Sequence, residues 1–453
     1  MSKMPELPNA LNIEIHSLFN GMRVLICQRP ALHRVCLLVN VASGCRNERL
    51  PGTAHMLEHL IFRGSKQYPS LRELSEAFEN LGADFNAYTA REVTSFDVSM
   101  PAQSLIPVVY LLGDVLSTPK LQGIAAERDI IREEIIGDYD ADKTLINVDD
   151  WIVSLFYGDA GKPIAGDPDD LANISRAEVM AFYEAHYAAS NILIVAAGPI
   201  GDSAEFVQAL EHAFKPMQTD ANIWQARSMP DIYCSALKSG KYVDPRLCIK
   251  KYDGATQSEL SLGFLCGPTS SPNFSALEML VRVLDDGMAS RLSRRLVEEL
   301  ALVYDAESFL STTRESTLMQ IRASCRHRRA CKVIDAIYGL LREIAENGVY
   351  PEEFERLRCR VVWEHEGMLD GAPQLAQWLS TMKLQQMPCD IRVHCENLLA
   401  VTIDDIQQMA KDLLTRRPHI TAIVGDIGTR GAEEIRDVMQ SHLGCHDIKI
   451  TAL

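Results

Sequence analysis

The chain of 453 residues carries 61 acidic against 45 basic residues, a formal net charge of −16, with 47% hydrophobic and 23% charged residues. That balance is ordinary for globular proteins and excludes disorder or a fibrous repeat, while the length sets an expectation of about two or three domains. A net acidic surface repels phosphate backbones, which excludes nucleic acid as the main ligand, and no window approaches the roughly 18 apolar residues of a membrane span.

In chain order, strand-length apolar runs at 22–27 and 35–41 precede a segment at 52–62 that reads as helix. Residues 71–80 and 105–116 have helical periodicity, and the short runs 84–89 and 95–99 between them suit a hairpin. Residues 127–136 are again helical. The stretch 175–198 opens with a hydroxyl residue followed three positions later by an acid, Ser175 and Glu178, and closes in a β-branched strand ending at Gly198. A polar segment at 216–245 containing Pro216, Pro230 and Pro245 lacks sustained periodicity and reads as a linker. Beyond it, 259–265, 317–323 and 420–424 read as strands, and 275–284, 331–347 and 403–414 as helices. The stretch 402–425 repeats the 175–198 pattern with Thr402, Asp405 and Gly425, its closing glycine 227 residues after the first. The echo predicts two copies of one domain, 1–215 and 246–453, of α+β class, each with a mixed or antiparallel sheet and helices packed on one face.

The start, Met1-Ser-Lys-Met-Pro, lacks the apolar core of a signal peptide, and twelve cysteines are scattered without a Cys-x-x-Cys pair. A reducing cytoplasm is therefore the expected compartment.

The chemistry concentrates in His55-Met-Leu-Glu-His59. On a helix, His55 and His59 lie one above the other on one face, with Glu58 at its border, so both imidazoles reach one ion. Catalytic zinc takes about three protein ligands and leaves one position open, so a further donor is required. Glu134, 75 residues beyond His59 on a helical stretch, is the best candidate, and Glu127 falls two turns away on the same face as a supporting carboxylate.

The motif is the inverted zinc-peptidase signature, and its surroundings resemble the pitrilysin or insulinase-like family, especially the half-length branch that includes mitochondrial processing peptidases and bacterial relatives. The matching pieces are Gly44-Cys-Arg-Asn-Glu48, Gly52-Thr-Ala-His55, Phe62-Arg-Gly-Ser65 and Leu81-Gly-Ala-Asp-Phe-Asn-Ala-Tyr-Thr89, with Glu127 to Glu134 and the two repeated units. The resemblance implies one zinc ion on His55, His59 and Glu134, Glu58 as general base, and Glu127 behind the ligands. It further implies that unfolded peptide adds to an edge strand, with Asn86 and Ala87 binding its backbone. The implied fold is processing-peptidase-like, two homologous domains forming half of a clamshell around a closed chamber.

One departure bears on activity. Members of the family carry an arginine and a tyrosine seven positions apart in the second half that hold the substrate carbonyl; here Tyr304 is present, but the arginine position is Val297, with Arg294 and Arg295 shifted along the helix. The resemblance then implies a dimer, with a heterodimer favoured, in which a related subunit supplies the Arg/Tyr pair. The alternative is a catalytically weak or inactive partner subunit. A short zinc lyase that shares the inverted motif is disfavoured by the duplication over 227 residues.

Overall fold

A computed structural model describes residues 5–8, 10–220, 226–239, 243–444 and 448–452. The first half builds six strands: β1 (Ile13–Ser17), β2 (Arg23–Gln28), β3 (Arg34–Val41), β4 (Asp84–Thr89), β5 (Thr94–Pro101) and β6 (Ile192–Gly198). They lie in the order β1-β2-β6-β3-β5-β4, antiparallel throughout except for the parallel pair of β2 with β6. Between β3 and β4 run α1 (Thr53–Ile61) and α2 (Leu71–Glu79). Between β5 and β6 run α3 (Leu105–Ser117), α4 (Ile124–Ile135), α5 (Val148–Tyr157), α6 (Pro168–Asn173) and α7 (Arg176–His186), and α8 (Ser203–Ala213) follows β6.

A further helix, α9 (Asp231–Ser239), forms inside the polar segment. Its Tyr233 packs on Phe156 with ring centroids 5.4 Å apart. A helix this short, held by Tyr233 with Cys234 and Leu237 beside it, leaves no extended apolar period in the sequence.

The second half repeats the plan with β7 (Arg246–Lys251), β8 (Ser258–Cys266), β9 (Ala306–Thr312), β10 (Thr317–Cys325), β11 (His419–Gly425) and β12 (Lys449–Ala452), in the order β12-β7-β11-β8-β10-β9. Its helices are α10 (Phe274–Leu284), α11 (Ala330–Asn347), α12 (Pro351–Gly367), α13 (Ala372–Leu384), α14 (Ile391–Ala400), α15 (Ile403–Thr415) and α16 (Thr429–Leu443). Only the outermost strand departs from the copy. β1 enters β2 through a tight turn and pairs antiparallel, whereas β12 arrives after α16 and pairs parallel with β7. The echoed helix starts also differ. Thr402 and Asp405 exchange both bonds of a capping box, while Ser175 accepts from the Glu178 N–H alone.

The central strands Ile-Leu-Ile-Val-Ala-Ala-Gly of β6 and His-Ile-Thr-Ala-Ile-Val-Gly of β11 are buried along their whole length. Unbroken apolar runs of this kind require cover on both faces of a sheet. In each half one face packs on that half's own helices, as the sequence predicts. The other face is covered by the opposite half: Leu25, Leu38 and Val195 pack against Leu375, Ala376 and Leu379 of α13, and Leu265, Leu318 and Ala422 against Trp151, Ile152 and Phe156 of α5.

The two equivalent hairpins also meet at their tips. Glu92, in the β4–β5 turn, accepts from the Arg314 N–H of the β9–β10 turn at 2.9 Å. Arg46, 2% exposed, bonds Glu92 at 2.6 Å, Glu315 at 3.0 Å and the Arg227 carbonyl at 2.9 Å, tying both hairpins to the connecting segment.

Gly263 lets α5 approach the second sheet, since a β-carbon there would lie 2.7 Å from the Phe156 ring and 2.9 Å from the Ile152 methyl. Gly263→Val therefore overpacks the junction and is expected to cost about 1–3 kcal/mol, read as a lower urea midpoint; an unchanged midpoint would show that α5 is not seated on β8.

Candidate active site

The site begins with how α1 is started. Gly52, at φ 85°, occupies the left-handed region, and a β-carbon there would also lie 2.5 Å from the Ala165 carbonyl oxygen, so no other residue fits. No adjacent side chain caps the helix. Instead the Glu48 carboxylate, 4% exposed, accepts from the Gly52 and Ala54 N–H groups at 2.9 Å each. Burial pushes its carboxyl up to about 8 despite those two donors.

So anchored, α1 presents His55, Glu58 and His59 on one face, with the imidazole centroids 4.6 Å apart. Glu127 of α4 is buried between His59 Nδ1, at 3.0 Å, and Arg63, whose Nε donates to its other oxygen. That bond fixes the His59 ring with Nε2 turned toward Glu134. Glu134, two turns further along the same face of α4 and half-exposed, places its two carboxylate oxygens 3.6 Å from His55 Nε2 and 3.6 Å from His59 Nε2.

The three donor atoms lie within 4.8 Å of one another, the one such cluster of His, Cys, Asp or Glu among the described residues. Donors about 2.0–2.1 Å from a shared tetrahedral ion stand roughly 3.3 Å apart, so two imidazoles and a carboxylate at 3.6 Å fit a zinc ion with little adjustment. Burial, with His59 adding to it, pushes His55 down to about 4, which keeps its ring neutral and able to donate an electron pair at neutral pH.

Glu58 is buried beside these donors. Burial pushes its carboxyl above the usual range, opposed by the Thr89 hydroxyl, which donates to Oε2 at 2.6 Å. Thr89 ends β4, the outer strand of its sheet, so the strand and the carboxylate share one wall of a cavity of about 430 Å³. Ala87 lines that cavity. Asn86 is exposed and lines an adjoining groove with Phe62, Phe78 and Phe85.

Tyr304 is not among these residues. It is 97% exposed in the second half and does not line the cavity. Val297 packs against the second core, and Arg294 and Arg295 both pair with Glu299, at 3.4 and 2.9 Å. The second half's counterpart of the metal cavity, between α10, α12 and β9, holds ion pairs in place of a histidine pair: Arg282 with Glu364 and Arg360 with Asp286, each at 2.6 Å.

Three contributors to the site went unread in the sequence: Glu48, Arg63 and Thr89. All three stand inside the quoted motifs, yet each acts through a bond that crosses a turn or joins two elements, which residue spacing does not reveal. Because the Glu48 carboxyl binds its proton more tightly folded than unfolded, this group makes stability fall as pH rises from about 4.5 to about 8. Glu48→Gln is expected to remove that slope, seen by comparing urea midpoints of the two proteins at pH 5 and pH 8; parallel pH profiles would refute it.

Comparison with known proteins places this geometry in a family. Residues 23–148 match the family described as Insulinase (Peptidase family M16), and residues 173–360 match the Peptidase M16 inactive domain. An uncharacterized zinc protease of Mycobacterium tuberculosis is 25% identical over 421 residues, covering 90% of this chain and 92% of that one. One from Rickettsia bellii is 28% identical over 363 residues, 77% of this chain and 82% of the other. Among solved structures, a protease from Helicobacter pylori superposes with a TM-score of 0.82 at 18% identity, covering 92% of this chain and all of that chain. The periplasmic protease PqqL of Escherichia coli superposes at 0.74 and 17% identity, with 99% of this chain covering 52% of that one. The chain belongs to the insulinase-like peptidase family M16, in its half-length form.

Proposed function

We propose that the chain is the zinc-bearing component of a metalloendopeptidase that hydrolyses unfolded oligopeptides. The observation that carries this reading is the convergence of His55, His59 and Glu134 beside the buried Glu58 carboxylate and the outer edge of β4. Zinc held by those three residues would supply Lewis acidity, polarising a peptide carbonyl and acidifying water at the open position. Glu58 takes the proton from water and passes it to the nitrogen of the departing amine, a task suited to a carboxylate whose proton affinity burial has raised. Thr89 holds Oε2 and so orients the carboxylate. The peptide lies extended along β4, with Ala87 offering its N–H and carbonyl and Asn86 its side-chain amide.

The two units, 1–215 and 246–453 about the 216–245 segment, form half of a clamshell whose closed chamber admits unfolded peptides. The position of Tyr304, the core packing of Val297 and the pairing of Arg294 and Arg295 support a heterodimer in which a related subunit supplies the carbonyl clamp. The same facts favour a second reading, a catalytically weak partner subunit. All described cysteines are free, which supports a cytoplasmic setting. No helix among the described residues is long and apolar enough to cross a membrane.

Zinc-loaded protein, alone and with a related Arg/Tyr-bearing subunit, would be assayed on an unstructured peptide by chromatography. Glu58→Gln is expected to lower hydrolysis by about 10²–10⁴-fold while keeping stoichiometric zinc; undiminished cleavage would remove Glu58 from the chemistry. Cleavage by the chain alone would dispose of the heterodimer, and inactivity in every combination would favour the weak-subunit reading. Glu127→Gln is expected to weaken zinc binding about 10–100-fold in a chelator competition, with Glu134→Ala losing the metal; unchanged affinity in both would overturn the ligand assignment.

A further inference from the structure

A second cavity, of about 310 Å³, abuts the metal cavity and shares Tyr88 and Ile164 with it. Its walls come from both halves: Val93 and Val153 from the first, Leu318 and Leu384 from the second. It exists because the hairpin tips are locked together there through Arg46, Glu92 and Glu315. Its volume is at the low end of ligand pockets, roughly 300–1,000 Å³, sized for a side chain rather than a length of peptide.

Two polar features point to an occupant. Ser380 of α13 is 1% exposed, lines the cavity, and its hydroxyl has no hydrogen-bond partner among the described residues. A buried hydroxyl left so costs stability unless something bonds to it. At the rim, Arg314 is exposed, and no ion pair of its guanidinium occurs among the described residues.

Strand direction says which part of a peptide reaches the cavity. β4 runs toward the junction, and Tyr88 lies on the strand face opposite Ala87 and Thr89, bonded by Gln377 of α13 at 2.8 Å. A peptide added antiparallel, the commoner arrangement by about two- to threefold, presents the residues before its cleaved bond to this end of the strand. The side chain facing the cavity therefore belongs to a residue on the amino side of that bond.

We infer that this inter-half cavity is a specificity pocket for one aromatic side chain on the amino side of the cleaved bond, preferring tyrosine, whose hydroxyl bonds Ser380, and favouring an acidic neighbour at Arg314. The inference rests on the peptidase reading for its substrate class. It makes the second half a direct determinant of selectivity. Aromatic rings suit the site because they bury a large apolar area with few rotamers to freeze.

The test reads binding, so it does not depend on turnover. Zinc-loaded Glu58→Gln protein is titrated by fluorescence anisotropy with labelled unstructured peptides that carry one tyrosine, one tyrosine beside a glutamate, or alanine at those positions. The tyrosine peptide is expected to bind about tenfold tighter than its alanine counterpart. Leu384→Trp, which fills the cavity, is expected to erase that gain and leave the alanine peptide's affinity unchanged. Arg314→Glu, an exposed change that keeps the fold, is expected to reverse the extra gain from the glutamate. No preference for tyrosine, a preference surviving Leu384→Trp, or a glutamate effect untouched by Arg314→Glu would overturn the pocket. Should Leu384→Trp fail to fold, the Arg314→Glu arm decides. Selective binding by a protein whose unmutated form cleaves nothing, alone or with the related Arg/Tyr-bearing subunit, would sink the peptidase reading while sparing the pocket.

Discussion

The structure depends on a need that neither half meets alone: the central strand of each six-stranded sheet is buried along its whole length and needs cover on both faces. A half supplies enough helices for one face only, so α5 crosses to the second sheet and α13 to the first. Burial at about 25 cal/mol per Å² of apolar surface makes this mutual cover the main force joining the halves. The polar contacts at the hairpin tips add direction to it. A guanidinium buried as deeply as that of Arg46 is tolerated only because carboxylates and a carbonyl receive its N–H groups, and that requirement fixes where the β4–β5 turn sits.

From that fixed turn the site follows. β4 is held at one end by the junction and faces α1 along its inner side, so Thr89 meets Glu58 and Ala87 borders the histidines. α1 is started by Glu48 and Gly52, and α4 is registered against it through Glu127, His59 and Arg63. The donor cluster is thus built on two helices, which hold side chains more exactly than loops do. Burial raises the proton affinity of Glu58 and lowers that of His55, so neighbouring groups in one cavity take opposite protonation behaviour.

Much of this was legible in the residues. The i, i+4 histidines and the repeat of a helix with its closing strand follow regular periods, the distant carboxylate stands in a segment with a helical pattern of its own, and local periodicity is what a sequence displays. The unreadable parts were relations between elements. Nothing in residues 148–157 or 372–384 distinguishes a helix that covers its own sheet from one that covers its neighbour's, because an apolar stripe does not name its partner. Tyr304, paired with position 297 only through the family resemblance, is exposed and does not line the metal cavity.

Exchanged cover also changes what kind of object the chain is. Two protomers that trade identical elements form a swapped dimer, and here equivalent halves trade α5 for α13 within one polypeptide. The second half, in which the described residues form no metal cluster, is therefore not a spent copy carried along by its neighbour, since the sheet whose edge strand holds the Glu58 carboxylate is roofed by a helix from this other half.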